Sequence, residues 1–190
     1  TEKEWNVIQR HPEKGKEILE EGGFNEDIVR IAHEHHEKPD CSGYPRGTSK
    51  VSRYARIVSV IDAYEALTAD RPYREPMNPL KAYEVLISDF NEYDATRRIL
   101  QSLIHCMGLF PVGCVVELSN GDLGVVIENH PSNLKDPRVK IVKISKKGSV
   151  ENPYEVDLDH IKNQKKIVDG RIYDESIKIK KVLNFSKIPE

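Results

Sequence analysis

Residues 52–69 read SRYARIVSVIDAYEALTA. Ala55, Ile57, Val58, Val60, Ile61, Ala63, Tyr64, Ala66 and Leu67 occupy nearly every face of a 3.6-residue period, which predicts a central helix buried on most sides. Asp62 falls in its middle. An ionised carboxylate in such a place is costly unless it is paired or holds a metal, which makes Asp62 a candidate functional residue.

Upstream of this stretch the period stays helical. Thr1 with Glu4 forms a capping box, and Trp5, Val7, Ile8, Ile18 and Leu19 are the apolar positions of a first helical stretch broken near His11-Pro12. Gly22-Gly23 ends it, Asn25 caps the next helix, and Ile28, Ile31, Ala32 and His35 make one inward stripe at i, i+3, i+4, i+7. Pro39, Gly43, Pro45 and Gly47 then make residues 38–50 a loop of turns. Downstream, two further helices are expected at about 79–91 and 94–107, for five in all, and Gly108 with Pro111 punctuates the chain.

After that the period changes to two. Val112–Leu118 and Leu123–Glu128 flank the hairpin pair Asn120-Gly121, Val139, Ile141 and Ile144 suggest another strand, and Val156 and Leu158 a fourth. The tail from Tyr173 alternates Ile177, Ile179 and lysines without a clear stop. The expected class is α+β: a mainly helical part at 1–108, then a small β-rich appendage at 109–190.

The chain has 190 residues, 29 Lys plus Arg against 31 Asp plus Glu, 38% hydrophobic residues and a mean hydropathy of -0.57. No apolar run approaches the ~20 residues of a membrane span, and no signal peptide opens the chain. Cys41, Cys106 and Cys114 have no CxxC spacing, so a reducing cytoplasm is the expected compartment. The chain starts at Thr1 and its methionines are Met77 and Met107, so it is read as a piece of a longer protein. Residues 1–134 carry a net charge of -7 and 135–190 carry +5. The lysines of the second part, Lys146, Lys147, Lys165, Lys166, Lys180 and Lys181, are interleaved with acids beside few aromatics (Tyr154, Tyr173, Phe185), which argues for a solvated surface and against a nucleic-acid polymer as partner.

Histidine concentrates at the front, with His11, His33, His35 and His36 among the first 36 residues. A single inward histidine is commonly a hydrogen-bonded core residue, and an exposed pair is often a cap near a helix C-terminus. An inward His35, its neighbour His36, a His11 at a break and a buried Asp62 together need partners, and imidazole with carboxylate is the ligand set of first-row divalent metals.

The stretch His35-His36-Glu37-Lys38-Pro39-Asp40-Cys41-Ser42-Gly43-Tyr44-Pro45-Arg46-Gly47 resembles the signature of the HD-GYP family, bacterial phosphodiesterases that linearise cyclic di-GMP. His11-Pro12-Glu13 resembles the family's HPE element. Asp62-Ala63-Tyr64-Glu65-Ala66-Leu67-Thr68-Ala69-Asp70-Arg71-Pro72-Tyr73-Arg74 resembles its D-x-[YF]-D-A-L-[TS]-x-D-R-P-Y-[RK] element. The resemblance covers about residues 1–107 and leaves the role of the β-rich remainder open.

It implies that His11, His35, His36 and Asp62 are ligands in a site of two or three divalent metals, usually iron or manganese. It further implies that Arg71 and Arg74 bind the phosphates of the cyclic dinucleotide, and that Tyr44 of the Gly43-Tyr44-Pro45 loop borders the substrate. A metal-bound hydroxide would be the nucleophile and bidentate arginines would orient the diester, while no general acid is assigned. The family's His-Asp pair, its upstream ligands and its lysine precede the segment that starts here, so the fragment alone is expected to be weak or inactive. Cys41 stands where glycine is usual, and Glu65 replaces an Asp that supports the site.

A phosphohydrolase acting on another nucleotide is the rival enzyme reading, disfavoured by the Gly43-Tyr44-Pro45 loop with Arg71 and Arg74. The alternative class is a catalytically incomplete regulatory module that binds cyclic di-GMP or a diguanylate cyclase partner. An apolar face left without its upstream helices is expected to favour self-association as a homo-oligomer.

Overall fold

The computed structural model describes residues 1–71, 74–90, 93–144, 148–162, 165–168 and 170–183. Pro72, Tyr73, Asn91, Lys146, Lys147 and Phe185, invoked above, lie outside the described residues. The chain is α+β, with helices preceding an antiparallel sheet. Its contacts divide into two compact units, Thr1–Ala66 with Leu86–Leu100, and Leu67–Val85 with Gln101–Glu190.

Helices α1 (Glu2–Ile8), α2 (His11–Glu21), α3 (Glu26–Glu34), α4 (Arg53–Thr68), α5 (Pro79–Phe90) and α6 (Asp94–Met107) number six among the described residues, one more than expected. The extra one arises because the first stretch divides at Gln9-Arg10, where Gln9 caps α1, and α2 starts afresh with Pro12 in its first turn. Proline is tolerated there because the first N–H groups of a helix have no partner inside it. Thr1 and Glu4 cap each other at the start of α1, and the Asn25 side chain accepts from the Asp27 N–H at the start of α3.

The turn between α2 and α3 is a Schellman motif: the Gly23 N–H donates to Glu20 O and the Phe24 N–H to Leu19 O, with Gly23 at φ +69. Glycine is what lets the backbone adopt that sign cheaply. The chain therefore runs 11 residues out along α2 and 9 back along α3, which returns the end of α3 to the start of α2.

The core of the first unit is small, built on Val29, Ala55, Val60, Tyr64, Leu86 and Leu100. Two features differ from the expected burial pattern. Helix α4 is not buried on most faces, for Tyr54 is 54% and Ile61 47% exposed, and Asp62 keeps 42% of its side chain in solvent. In α3 the buried apolar position is Val29, while Ile28 is 45% exposed. Trp5, Val7, Ile8, Ile18 and Phe24 are exposed as well, so too little packs over α1–α4 to enclose an all-round apolar helix.

In the second unit, β1 (Val115–Leu118), β2 (Leu123–His130), β3 (Asn133–Ile144), β4 (Gly148–Asp157) and β7 (Ile179–Leu183) form an antiparallel sheet in the order β4-β3-β2-β1-β7. A separate hairpin joins β5 (Lys166–Val168) to β6 (Arg171–Tyr173). Val116, Leu118, Val126, Val139, Ile141, Val156 and Val182 project from the strands into one core with Phe110, Leu158, Ile161, Tyr173 and Ile177. Within it Asp122 is fully buried and accepts from Arg171 Nη1 and Tyr173 Oη, each at 2.6 Å. No helix among the described residues is long and apolar enough to cross a membrane.

Candidate metal centre

His11 opens α2 and His35 closes α3, so the Schellman reversal brings their rings together: the two Nε2 atoms stand 3.1 Å apart. The other nitrogen of each ring faces a carbonyl. His11 Nδ1 lies 2.8 Å from Ile8 O, and His35 Nδ1 lies 2.9 Å from Ala32 O and 3.2 Å from Ile31 O. A ring nitrogen against a carbonyl carries the proton, so in the tautomer with Nδ1 alone protonated each ring turns an Nε2 lone pair toward the same point. Two acceptors at that separation repel, and a cation between them removes the repulsion.

His36 completes the cluster, with ligand atoms of all three histidines within 4.8 Å of one another. Its ring is 4.1 Å from that of His35 and 4.8 Å from that of His11. Burial, then the neighbouring His35, depresses its pKa to about 4 against a smaller opposing effect of Asp62, so the ring is neutral at pH 7 and able to ligate. Asp62 Oδ2 lies 3.8 Å from His36 Nδ1, beyond a hydrogen bond but on the same side of the site.

The donor set fits a divalent metal. Two nitrogens bound at about 2.0–2.1 Å with ligand angles of roughly 90–110° stand about 2.9–3.4 Å apart, which brackets the His11–His35 separation. The carbonyl bonds at Nδ1 orient two of the rings, as the outer partners of metal-bound histidines do.

The loop after α3 is fastened by two buried carboxylates that residue patterning missed. Glu37, 3% exposed, accepts from the Arg46 N–H at 2.7 Å and the Thr48 N–H at 2.9 Å. Glu34, 4% exposed, accepts from the Ser52 N–H at 2.7 Å, Arg46 Nη2 at 3.1 Å and Arg30 Nε at 3.4 Å. Burial works against the Glu34 carboxylate, yet the Ser52 N–H and the flanking arginines hold its pKa below the usual range. The signal available in the sequence was two glutamates flanking the histidine pair, at i-1 and i+1, where a charge is ordinarily assigned to solvent.

Gly43 sits against the end of α3, where its neighbour's Tyr44 N–H donates to His36 O at 3.1 Å. A methyl at Gly43 would stand 2.6 Å from Glu37 Cα and closer still to His36 O and Lys38 N. Cys41, which replaces a glycine of the family pattern, has φ +63, a left-handed conformation that glycine adopts without cost. The Tyr44 ring lies 4.6 Å from that of His36 and 6.3 Å from that of His11; burial, then Asp62, raises its pKa. Pro45 follows in the same half-buried turn.

The structure thus brings together His11, His35, His36, Asp62 and Tyr44. Arg71 and Arg74 belong to the second unit, where they are exposed and form an isolated antiparallel bridge, the Arg74 N–H donating to Arg71 O at 3.1 Å. Glu65 is exposed on α4.

A family model described as HD domain matches residues 1–96. The cyclic di-GMP phosphodiesterase PA4108 of Pseudomonas aeruginosa is 33% identical over 159 residues, 82% of this chain and 38% of that protein. The cyclic di-GMP phosphodiesterase PdeB of Borreliella burgdorferi is 25% identical over 191 residues, 99% of this chain and 47% of that protein. The 3'3'-cGAMP-specific phosphodiesterase 3 of Vibrio cholerae is 38% identical over 87 residues, 45% of this chain and 19% of that protein. The chain therefore spans less than half the length of these curated relatives.

Proposed function

This chain belongs to the HD domain family, in its HD-GYP form, and from that membership we propose that the protein it represents is a metal-dependent phosphodiesterase that hydrolyses cyclic di-GMP in cytoplasmic signal transduction. The observation that carries the reading is the pair of Nε2 atoms held 3.1 Å apart by carbonyl-bound Nδ1 atoms, an arrangement that suits a cation between them. The names of the relatives at 33% and 25% identity support the substrate.

In this reading His11, His35, His36 and Asp62 are metal ligands of a mixed imidazole and carboxylate site, and the resemblance to the HD-GYP family implies iron or manganese as the metal. When bound, the ions would lower the pKa of a water and neutralise charge that develops on the phosphodiester. The residues do the rest. Glu34 and Glu37 hold the loop so that the His36 ring and Tyr44 keep their places, and Tyr44 offers a hydroxyl and an aromatic face to the substrate. Arg71 and Arg74 are the proposed phosphate partners, with the planar fork that a diester oxygen pair accepts. The helical part at 1–108 is proposed as the catalytic portion and 109–190 as its appendage.

The test is conversion of cyclic di-GMP by the full-length protein loaded with Mn(II) or Fe(II), followed by chromatography. A linear or mononucleotide product that is lost in His11→Ala and His35→Ala supports the reading. Intact cyclic di-GMP under both metals rejects it.

A further inference from the structure

A cavity of about 400 Å³ opens beside the histidine cluster, within the first unit. His36 and Asp62 form one end of it. Ser59 and Ala63 of α4, Leu86, Asp89 and Phe90 of α5, Tyr93, and the loop residues Lys38, Pro39 and Asp40 make up the remaining wall. That volume lies at the lower end of the ~300–1,000 Å³ of small-ligand pockets and suits one nucleobase with its sugar rather than two.

The wall chemistry says which part of a nucleotide fits. Three carboxylates, Asp40, Asp62 and Asp89, stand against one cation, Lys38, so the cavity disfavours a phosphate and favours a group rich in N–H donors. Phe90 and Tyr93 add π faces on which a base can stack. Asp40 is already engaged, its Oδ1 accepting from the Ser42 N–H at 2.9 Å and from Ser42 Oγ at 2.7 Å, and Asp62, 3.8 Å from His36 Nδ1, is assigned to the metal. Asp89 precedes Phe90 at the C-terminal end of α5, and both line the cavity.

We propose that this cavity is a guanine pocket in which Asp89 selects the base. Guanine presents N1–H and N2–H2 side by side, two donors that the two oxygens of one carboxylate accept together, while adenine presents the N1 lone pair and one amino group. With the phosphodiester at the histidine cluster, the base enters between Asp89 and the Phe90 and Tyr93 rings. The proposal rests on the phosphodiesterase reading for its substrate, and it goes further by assigning base choice to named residues.

Equilibrium binding of GMP, IMP and AMP to the full-length protein tests it. The order GMP, then IMP, then AMP is expected, because IMP keeps N1–H and lacks the 2-amino group. Asp89→Asn, at a solvent-exposed position, is expected to narrow the GMP-to-AMP preference about 10- to 100-fold, the range of one bidentate base contact. Equal affinity of the unaltered protein for GMP and AMP would overturn the proposal without any variant, and so would an unchanged preference in Asp89→Asn. Hydrolysis of bis(p-nitrophenyl) phosphate, which has no base, is measured in parallel on the unaltered protein. Failure there counts against the phosphodiesterase reading, while the mononucleotide affinities still decide the base pocket.

Discussion

Replacing Gly43 by alanine perturbs the site through backbone alone. The added methyl would lie 2.6 Å from Glu37 Cα, and closer to His36 O and Lys38 N, where an ordinary contact needs about 3.4 Å or more. Because those neighbours are main-chain atoms, the loop and the end of α3 must separate by close to 1 Å. That movement strains the packing by about 1–3 kcal/mol and breaks the Tyr44 N–H bond to His36 O, about 0.5–1.5 kcal/mol more. The total of roughly 2–4 kcal/mol corresponds to a fall of about 4–16 °C in melting temperature for a domain of this size. A shift of close to 1 Å at the end of α3, where His36 sits, is about half of a metal–nitrogen bond of about 2.0–2.1 Å, so affinity for Mn(II) falls with it. Calorimetric melting and Mn(II) titration of Gly43→Ala read both effects. An unchanged melting temperature with unchanged Mn(II) affinity would refute the close approach as the reason for glycine here.

Cys41→Gly should stabilise the loop by up to about 1 kcal/mol, since φ +63 costs a side-chain-bearing residue what glycine avoids; urea midpoints check it. Arg171→Ala should destabilise the β-rich unit by about 3–5 kcal/mol, because it removes a cation 2.6 Å from the fully buried Asp122, and chemical unfolding would show it. Burial opposes ionisation of Asp157, but the His160 N–H, His130 and Arg138 hold its pKa below the usual carboxylate range. A carboxyl depressed in the folded state contributes stability above its unfolded value of about 3.9 and loses it as pH falls through the folded value. Asp157→Asn should therefore unfold at lower urea than the unaltered protein at pH 7, with the gap closing below about pH 4.

Legibility in the sequence followed local physics. The caps at Thr1 and Asn25, the bounds of α5 and α6 near those expected, and the Asn120-Gly121 hairpin all follow from interactions between residues close in the chain. Asn120 even donates from its side chain to Asp122, and Gly121 takes φ +84, the sign the turn requires. The tail that holds β7 shows only an alternation of Ile177, Ile179 and lysines without a clear stop, because the strand's bounds are set by its pairing with β1, which joins Val116 to Val182 and which no local pattern announces. The histidines were readable as a group from their density and family pattern. Glu34 and Glu37 were not, because their burial depends on N–H groups of residues 46, 48 and 52 that only the folded loop delivers. Asp62 was marked by an apolar context that suggested burial; the side chain is instead 42% exposed, and what distinguishes it is its position beside His36.

Every proposed role depends on His11, His35 and His36 forming a metal seat. Anomalous diffraction from crystals soaked in Mn(II) or grown with Fe(II) tests it most directly. A peak is expected about 2.0–2.2 Å from the Nε2 atoms of both His11 and His35, within reach of His36 and Asp62. Density for a bare imidazole pair with no anomalous peak between the rings, at metal concentrations that support turnover, would contradict it.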